Sequence, residues 1–196
     1  MFLFYRCSFI TSFFSFFFLN PSPHSNLPSF ITSSDVDSIE YENEKFAGVV
    51  SQGKAARAKM LIGDPSYFKE DMIKKTGRVV RSICILNHPI EAVEDAKSCQ
   101  IIIPAKQVSV AGYRERDSDI YVSCVSYKHK VCPKGLYIAI VSTTAETKKP
   151  EKELEPGMDL LGKVIDHFDS VVETYKPRSN AKKSNVFITT SYDATR

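Results

Sequence analysis

Four short apolar runs constrain this chain most: RVVRSICIL (78–86), CQIIIP (99–104), DIYVSCVSY (119–127) and LYIAIVSTT (136–144). Each is bounded by proline, glycine or a charged turn. In the first, Val79, Ile83 and Ile85 alternate with Val80, Cys84 and Leu86, so both faces are largely apolar. A strand of that kind lies inside a sheet that other structure must layer. At 196 residues the chain is long enough for a globular domain with a real core.

The first thirty-four residues are of another kind. They hold nine of the thirteen phenylalanines and one charged side chain, Arg6. MFLFYRCSFITSFFSFFFL can be read as a signal peptide, with Arg6 as a thin positive start and Ser8 to Leu19 as the apolar stretch. A spanning helix fits poorly, because the run carries Ser8, Thr11, Ser12 and Ser15 and stops at Asn20-Pro21. A third reading, preferred here, takes the segment as a translated non-coding tract, since Phe, Ser, Leu and Pro share pyrimidine-rich codons. The division expected is therefore 1–34, a Phe/Ser-rich segment that is disordered or wrongly joined, and 35–196, a folded body. The five cysteines (7, 84, 99, 124, 132) are odd in number and irregular in spacing, which points to a reducing compartment rather than a disulfide framework.

Within the body, residues 36–62 read as a meander. Ile39 and Tyr41 precede a turn at Glu42-Asn43-Glu44, Phe46 to Ser51 follow it, and a second turn at Gln52-Gly53-Lys54 leads to Met60-Leu61-Ile62. Asp64-Pro65 has the form of a helix start, so a short helix is expected over 66–76, ending at Gly77. Leu154, Met158, Leu161, Ile165, Phe168 and Val172 recur at steps of three and four and predict a longer amphipathic helix, with Gly162 its weak point. A charged loop, KPRSNAKKSN, then leads into a last strand, VFITTSY. The fold class expected is α/β, a mixed sheet with few helices.

Chemistry is scarce. The eight glycines form neither a dinucleotide loop nor a Walker loop. Cys124, His129 and Cys132 are the best metal-like cluster, but alternation along a strand sets Cys124 and His129 on opposite faces. Cys84, Cys99 and Cys124 fall within apolar strands, where a thiol is a small hydrophobe, and His88 before Pro89 reads as a turn residue. The carboxylates of Glu91 to Asp95 and Glu151 to Glu155, and the basic residues of 54–59, 74–75 and 182–183, read as solvated charges, the alternative for one of the basic groups being a contact with a membrane surface or an acidic partner. A net charge of +3 is too small to mark a nucleic-acid binder. No catalytic, cofactor-binding or metal-binding residue is expected, and partner-binding residues stay unassigned.

Several strings carry a family resemblance: VDSIEYENEKFAGVVSQG (36–53), ARAKMLIGDPSY (56–67), ICILNHPI (83–90), SCQIIIP (98–104), SDIYVSCVSY (118–127), KGLYIAIVSTTAET (134–147), PEKELEPGMDLL (150–161) and TTSYDAT (189–195). Long, ordered and collinear, they resemble the middle-to-late part of the Rab GDP-dissociation inhibitors. The resemblance implies a non-enzymatic, cytoplasmic carrier that binds prenylated Rab GTPases in the GDP form. In the full-length family an isoprenoid-binding helical domain shields the lipid, and contact with the membrane is transient. It also implies part of a large domain of flavoprotein-like fold, truncated at both ends, because the family's Gly-rich start, most of its GTPase platform and its helical lipid domain would precede Val36. The stretch between Gln107 and Ser118 is longer than the family's usual connection, so an extended loop is expected there. Two alternatives stay open: a Rab escort protein supporting Rab prenylation, which tends to diverge at DPSY and SYDAT, and a flavoenzyme relative, which would need a dinucleotide glycine loop.

Overall fold

The computed structural model describes residues 36–51, 53–93, 96–107, 116–178 and 181–195, with the backbone of two further strands at 15–18 and 29–32. The chain divides into two compact units, the first made of residues 1–74 and 175–191, the second of 75–174 and 192–196.

The first unit holds the expected meander. Strands β3 (Ser38–Glu42), β4 (Lys45–Ser51) and β5 (Lys54–Arg57) form an antiparallel three-stranded sheet. Glu42 pairs with Lys45, so Asn43 and Glu44 make a two-residue hairpin turn, with φ of 51° and 63°. Positive φ at both positions matches the twist of the flanking strands, which explains why a polar pair was needed there. A second sheet has the order β12-β6-β1-β2, with β1 at Ser15–Phe18, β2 at Ser29–Thr32, β6 at Leu61–Gly63 and β12 at Val186–Ile188. The β6–β12 pair is parallel. The core of this unit is Phe46, Val49, Ala58, Leu61, Phe68, Ile73, Val186 and Ile188.

The helix expected over 66–76 does not form. Asp64 does cap a start, its carboxylate accepting the Ser66 amide at 3.0 Å, but only a 3-10 turn, Pro65–Tyr67, follows. The chain is already extended in β7 (Ile73–Leu86). Thr76 donates its hydroxyl to Thr174 at 2.9 Å and Lys75 pairs with Glu173, both cross-strand contacts within the second unit. A cap satisfies the first free amides of a helix, but a helix lasts only where further turns are worth more than the strand pairing they replace.

The second unit is a five-stranded sheet of order β11-β7-β10-β9-β8, with β8 at Ser98–Ile103, β9 at Ile120–Ser126, β10 at Tyr137–Thr144 and β11 at Asp166–Pro177. All four apolar runs are strands of this sheet, and the 7–10, 10–9 and 9–8 pairs are antiparallel. β7 and β10 are interior, as the apolar faces of RVVRSICIL required, whereas β8 is an edge with Ile102 exposed.

The second helix prediction fails over most of its length. A 3-10 turn (Pro150–Leu154) runs into α1 (Glu155–Asp159), Gly162 ends the segment at φ 69°, and residues 166–177 are strand β11. Leu154 and Leu161 are buried and Met158 packs beside them, but Ile165, Phe168 and Val172 are exposed, so the apolar stripe is half real. Steps of three and four do not distinguish a helix from a strand with an irregular outer face, and Val171-Val172 and Thr174 are β-branched. The charged loop after 177 contains one short helical turn, α2 (Ala181–Ser184). Residues 108–115, where the extended loop was expected, lie outside the described residues, as do most of residues 1–34.

Candidate functional site

The groups that chemistry would use are spent on structure. Cys84 and Cys124 are buried in β7 and β9, and Cys99 stands opposite Cys124 on β8. Burial, with Cys99 and Cys132 nearby, pushes the Cys124 thiol up to about 11, and burial also raises Cys84 and Cys99. A thiol so shifted stays protonated and is a poor nucleophile or ligand. Cys132 donates to the Leu136 carbonyl at 3.2 Å, and His129 sits exposed in the 3-10 turn Tyr127–His129. Among the described residues no three His, Cys, Asp or Glu side chains are grouped to hold a metal.

His88 is more than a turn residue. Its Nδ1 lies 2.8 Å from the Pro89 carbonyl and its Nε2 3.0 Å from the Lys163 carbonyl. Only the imidazolium donates to both, so those carbonyls raise its pKa above the ordinary 6.5, with burial opposing and Glu91 assisting. The raised value means that the stabilisation is complete below pH 6.5 and fades as pH rises through the higher folded pKa. Replacing His88 by glutamine is expected to flatten stability against pH in that window. Urea unfolding at a series of pH values checks it, and an unaltered slope would remove His88 from the account.

One charged pair is fully buried. Arg116 Nη1 donates to Glu153 Oε2 at 2.7 Å, with the two side chains 3% and 1% exposed. Arg116 Nη2 donates to the Thr143 hydroxyl at 2.7 Å, and Glu153 Oε1 accepts from the Thr147 amide and hydroxyl, both at 2.7 Å. Burial by itself would raise the Glu153 carboxyl, but Arg116, Thr147 and the amides of Glu146 and Thr147 outweigh it and hold the pKa below the usual value. Thus Glu153 is not one of the solvated acids its neighbours suggest. No local signal distinguishes it from Glu151 and Glu155, since its partner is 37 residues away.

The sheet of the second unit has two unlike faces. On one, Val80, Cys84, Leu86, Val122, Cys124, Ala139 and Val141 are buried with Leu154 and Leu161. On the other, Ile83 stands opposite Ile140 and Ile85 opposite Ile138, all half-buried, with Val125 beside Ile138. On that face the segment 192–195 is held where Ser142 donates to the Ala194 carbonyl at 2.6 Å and Arg81 to that of Asp193. The chemistry of such a face is association through apolar area, worth about 25 cal/mol per Å² buried, and not bond making. Among the described residues no helix is long and apolar enough to cross a membrane.

The second unit is thus sheet-dominated, with buried thiols on one face and half-buried apolar side chains on the other. The GDP dissociation inhibitor family model matches residues 27–196, and the chain belongs to that family. It is 47% identical over 167 residues to Rab GDP dissociation inhibitor beta of Rattus norvegicus, a match covering 85% of this chain and 36% of the relative. The corresponding protein of Canis lupus familiaris matches over the same shares at the same identity. The crystal structure of Rab GDI from Plasmodium falciparum superposes with a TM-score of 0.75 at 41% identity, covering 83% of this chain and 36% of that one. The chain therefore spans about a third of the length of these relatives, and its fold is that of the corresponding part of the family.

Proposed function

We propose that this chain is the sheet-dominated portion of a Rab GDP-dissociation inhibitor: a cytoplasmic carrier, not an enzyme, acting on prenylated Rab GTPases in the GDP form. In this reading the complete carrier withdraws the GTPase from one membrane and returns it to another in vesicle transport, touching the bilayer transiently. The match to the family over residues 27–196 carries the reading. The physics fits, since each buried CH₂ of a lipid chain is worth about 0.8 kcal/mol, so a carrier must cover the isoprenoid to compete with the bilayer. In this reading most of the family's GTPase platform and its lipid domain lie outside the part that residues 36–196 match, so these residues serve as scaffold and are expected to extract Rab weakly on their own.

A chimera tests this directly. Residues 36–196 replace the corresponding part of the rat Rab GDP dissociation inhibitor beta, and extraction of prenylated Rab from membranes is measured with GDP and with a GTP analogue bound. The chimera is expected to extract the GDP form in preference to the other. A folded chimera that extracts neither, while the parent does, would overturn the reading.

A further inference from the structure

We propose that the turn joining β9 to β10 is a contact site for anionic membrane surface. Within residues 120–145 there is no aspartate or glutamate, yet the turn carries Lys128, Lys130 and Lys134, with His129 among them. All four side chains are exposed, and among the described residues none of the three lysines takes part in an ion pair. The acids that flank this stretch, Asp119 and Glu146, lie at the opposite end of the two strands, since Ile120 pairs with Thr143 there and Ser126 with Tyr137 at the turn. Asp119 takes the Ala105 amide at 2.8 Å and Glu146 faces Arg116, so neither neutralises the turn. Lys97, whose carbonyl accepts the Ser126 amide at 3.0 Å, adds a further ammonium at this end, but Glu94 and Asp95 precede it in sequence and it is left out of the count.

Two features select a lipid surface over an acidic protein. At the tip, among the lysines, Val131 is 58% exposed, and Pro133 beside it is exposed as well. Lysine stems around an apolar tip place ammonium groups at headgroup level while the tip enters the boundary below. The turn is also preformed. The Lys130 amide donates to the Tyr127 carbonyl at 2.9 Å, the Leu136 amide to Pro133 at 3.1 Å, and Cys132 Sγ to Leu136 at 3.2 Å. Little conformational freedom is then lost on contact. The inference deepens the transient membrane contact of the proposed function by giving it a place, and its test contains no GTPase, so its failure would leave the Rab reading standing.

The full chain is sedimented with vesicles of phosphatidylcholine alone and of phosphatidylcholine with phosphatidylserine. The phenylalanine-rich residues 1–34, with their cationic Arg6, are the same in every variant, so the readout is the change between variants in the increment due to phosphatidylserine. Each lysine near an anionic surface contributes enough that Lys128→Gln/Lys130→Gln/Lys134→Gln should cut that increment by roughly a hundredfold in affinity. Removing the same charge elsewhere in the unit, by Lys148→Gln/Lys149→Gln/Lys152→Gln, should leave it nearly intact, and Val131→Ser should weaken it several-fold. Equal loss in both triple variants would show a net-charge effect and overturn the site. So would an unchanged increment in the first variant, or retention on poly-glutamate beads with no binding to phosphatidylserine.

Discussion

Replacing Glu153 by alanine is expected to destabilise the second unit by about 3–5 kcal/mol, because it leaves Arg116 charged, 3% exposed and without its nearer carboxylate. The amides of Glu146 and Thr147 lose their acceptor in the same step. The double variant Arg116→Met/Glu153→Gln should be less damaged than Glu153→Ala, since the charge leaves and an amide oxygen still faces those donors. Urea unfolding followed by far-UV circular dichroism suits the measurement, as the chain has no tryptophan. The pH course has a definite sign. A carboxyl held below its ordinary 4.5 contributes fully above that value and loses its contribution as pH falls through the folded pKa. A wild-type acid limb identical to that of Glu153→Gln would contradict this account.

The second large effect is at Gly157. A Cβ built there would stand 2.5 Å from Val141 Cγ1, 3.1 Å from Ile120 Cγ2 and 3.2 Å from Val122 Cγ2. These atoms belong to short branched side chains in the buried face of the sheet, so α1 must retreat or the strands must shift. Gly157→Ala is therefore expected to cost about 1–3 kcal/mol although alanine is the better helix former. Shortening the obstacle should reverse the sign of the interaction, so Gly157→Ala in a Val141→Ala background should cost less than in the native chain, or stabilise it. A double-mutant cycle reads this as a coupling energy. Strict additivity would mean that α1 does not approach β10 as closely as described.

Strands were legible where both neighbours agreed. The turn at Asn43-Glu44, the four apolar runs and the cap at Asp64 could be placed because each rests on contacts within a few residues. The two helix predictions went wrong for a common reason: a cap and a three-four spacing are local signals, while Thr76 and Thr174 meet across 98 residues and hold both segments extended. Burial of Glu153 is of the same type, as its guanidinium comes from a distant loop. The cationic turn was legible in principle. Its signal is the stretch from 120 to 145 without an acid, and the more compact lysine pairs at 74–75 and 182–183 obscured it.

By itself, the sequence determined the family, through long collinear strings, and a body rich in strands, through alternation and turn residues. Tertiary structure alone decided that residues 166–177 are a strand, that Glu153 is buried with Arg116, and that His88 reaches two carbonyls at once. The division follows the range of the interactions. Turn and strand preferences act over a few residues, whereas the pairing energy that selects strand over helix, and the desolvation that makes one glutamate unlike its neighbours, come from chain folded back from far away.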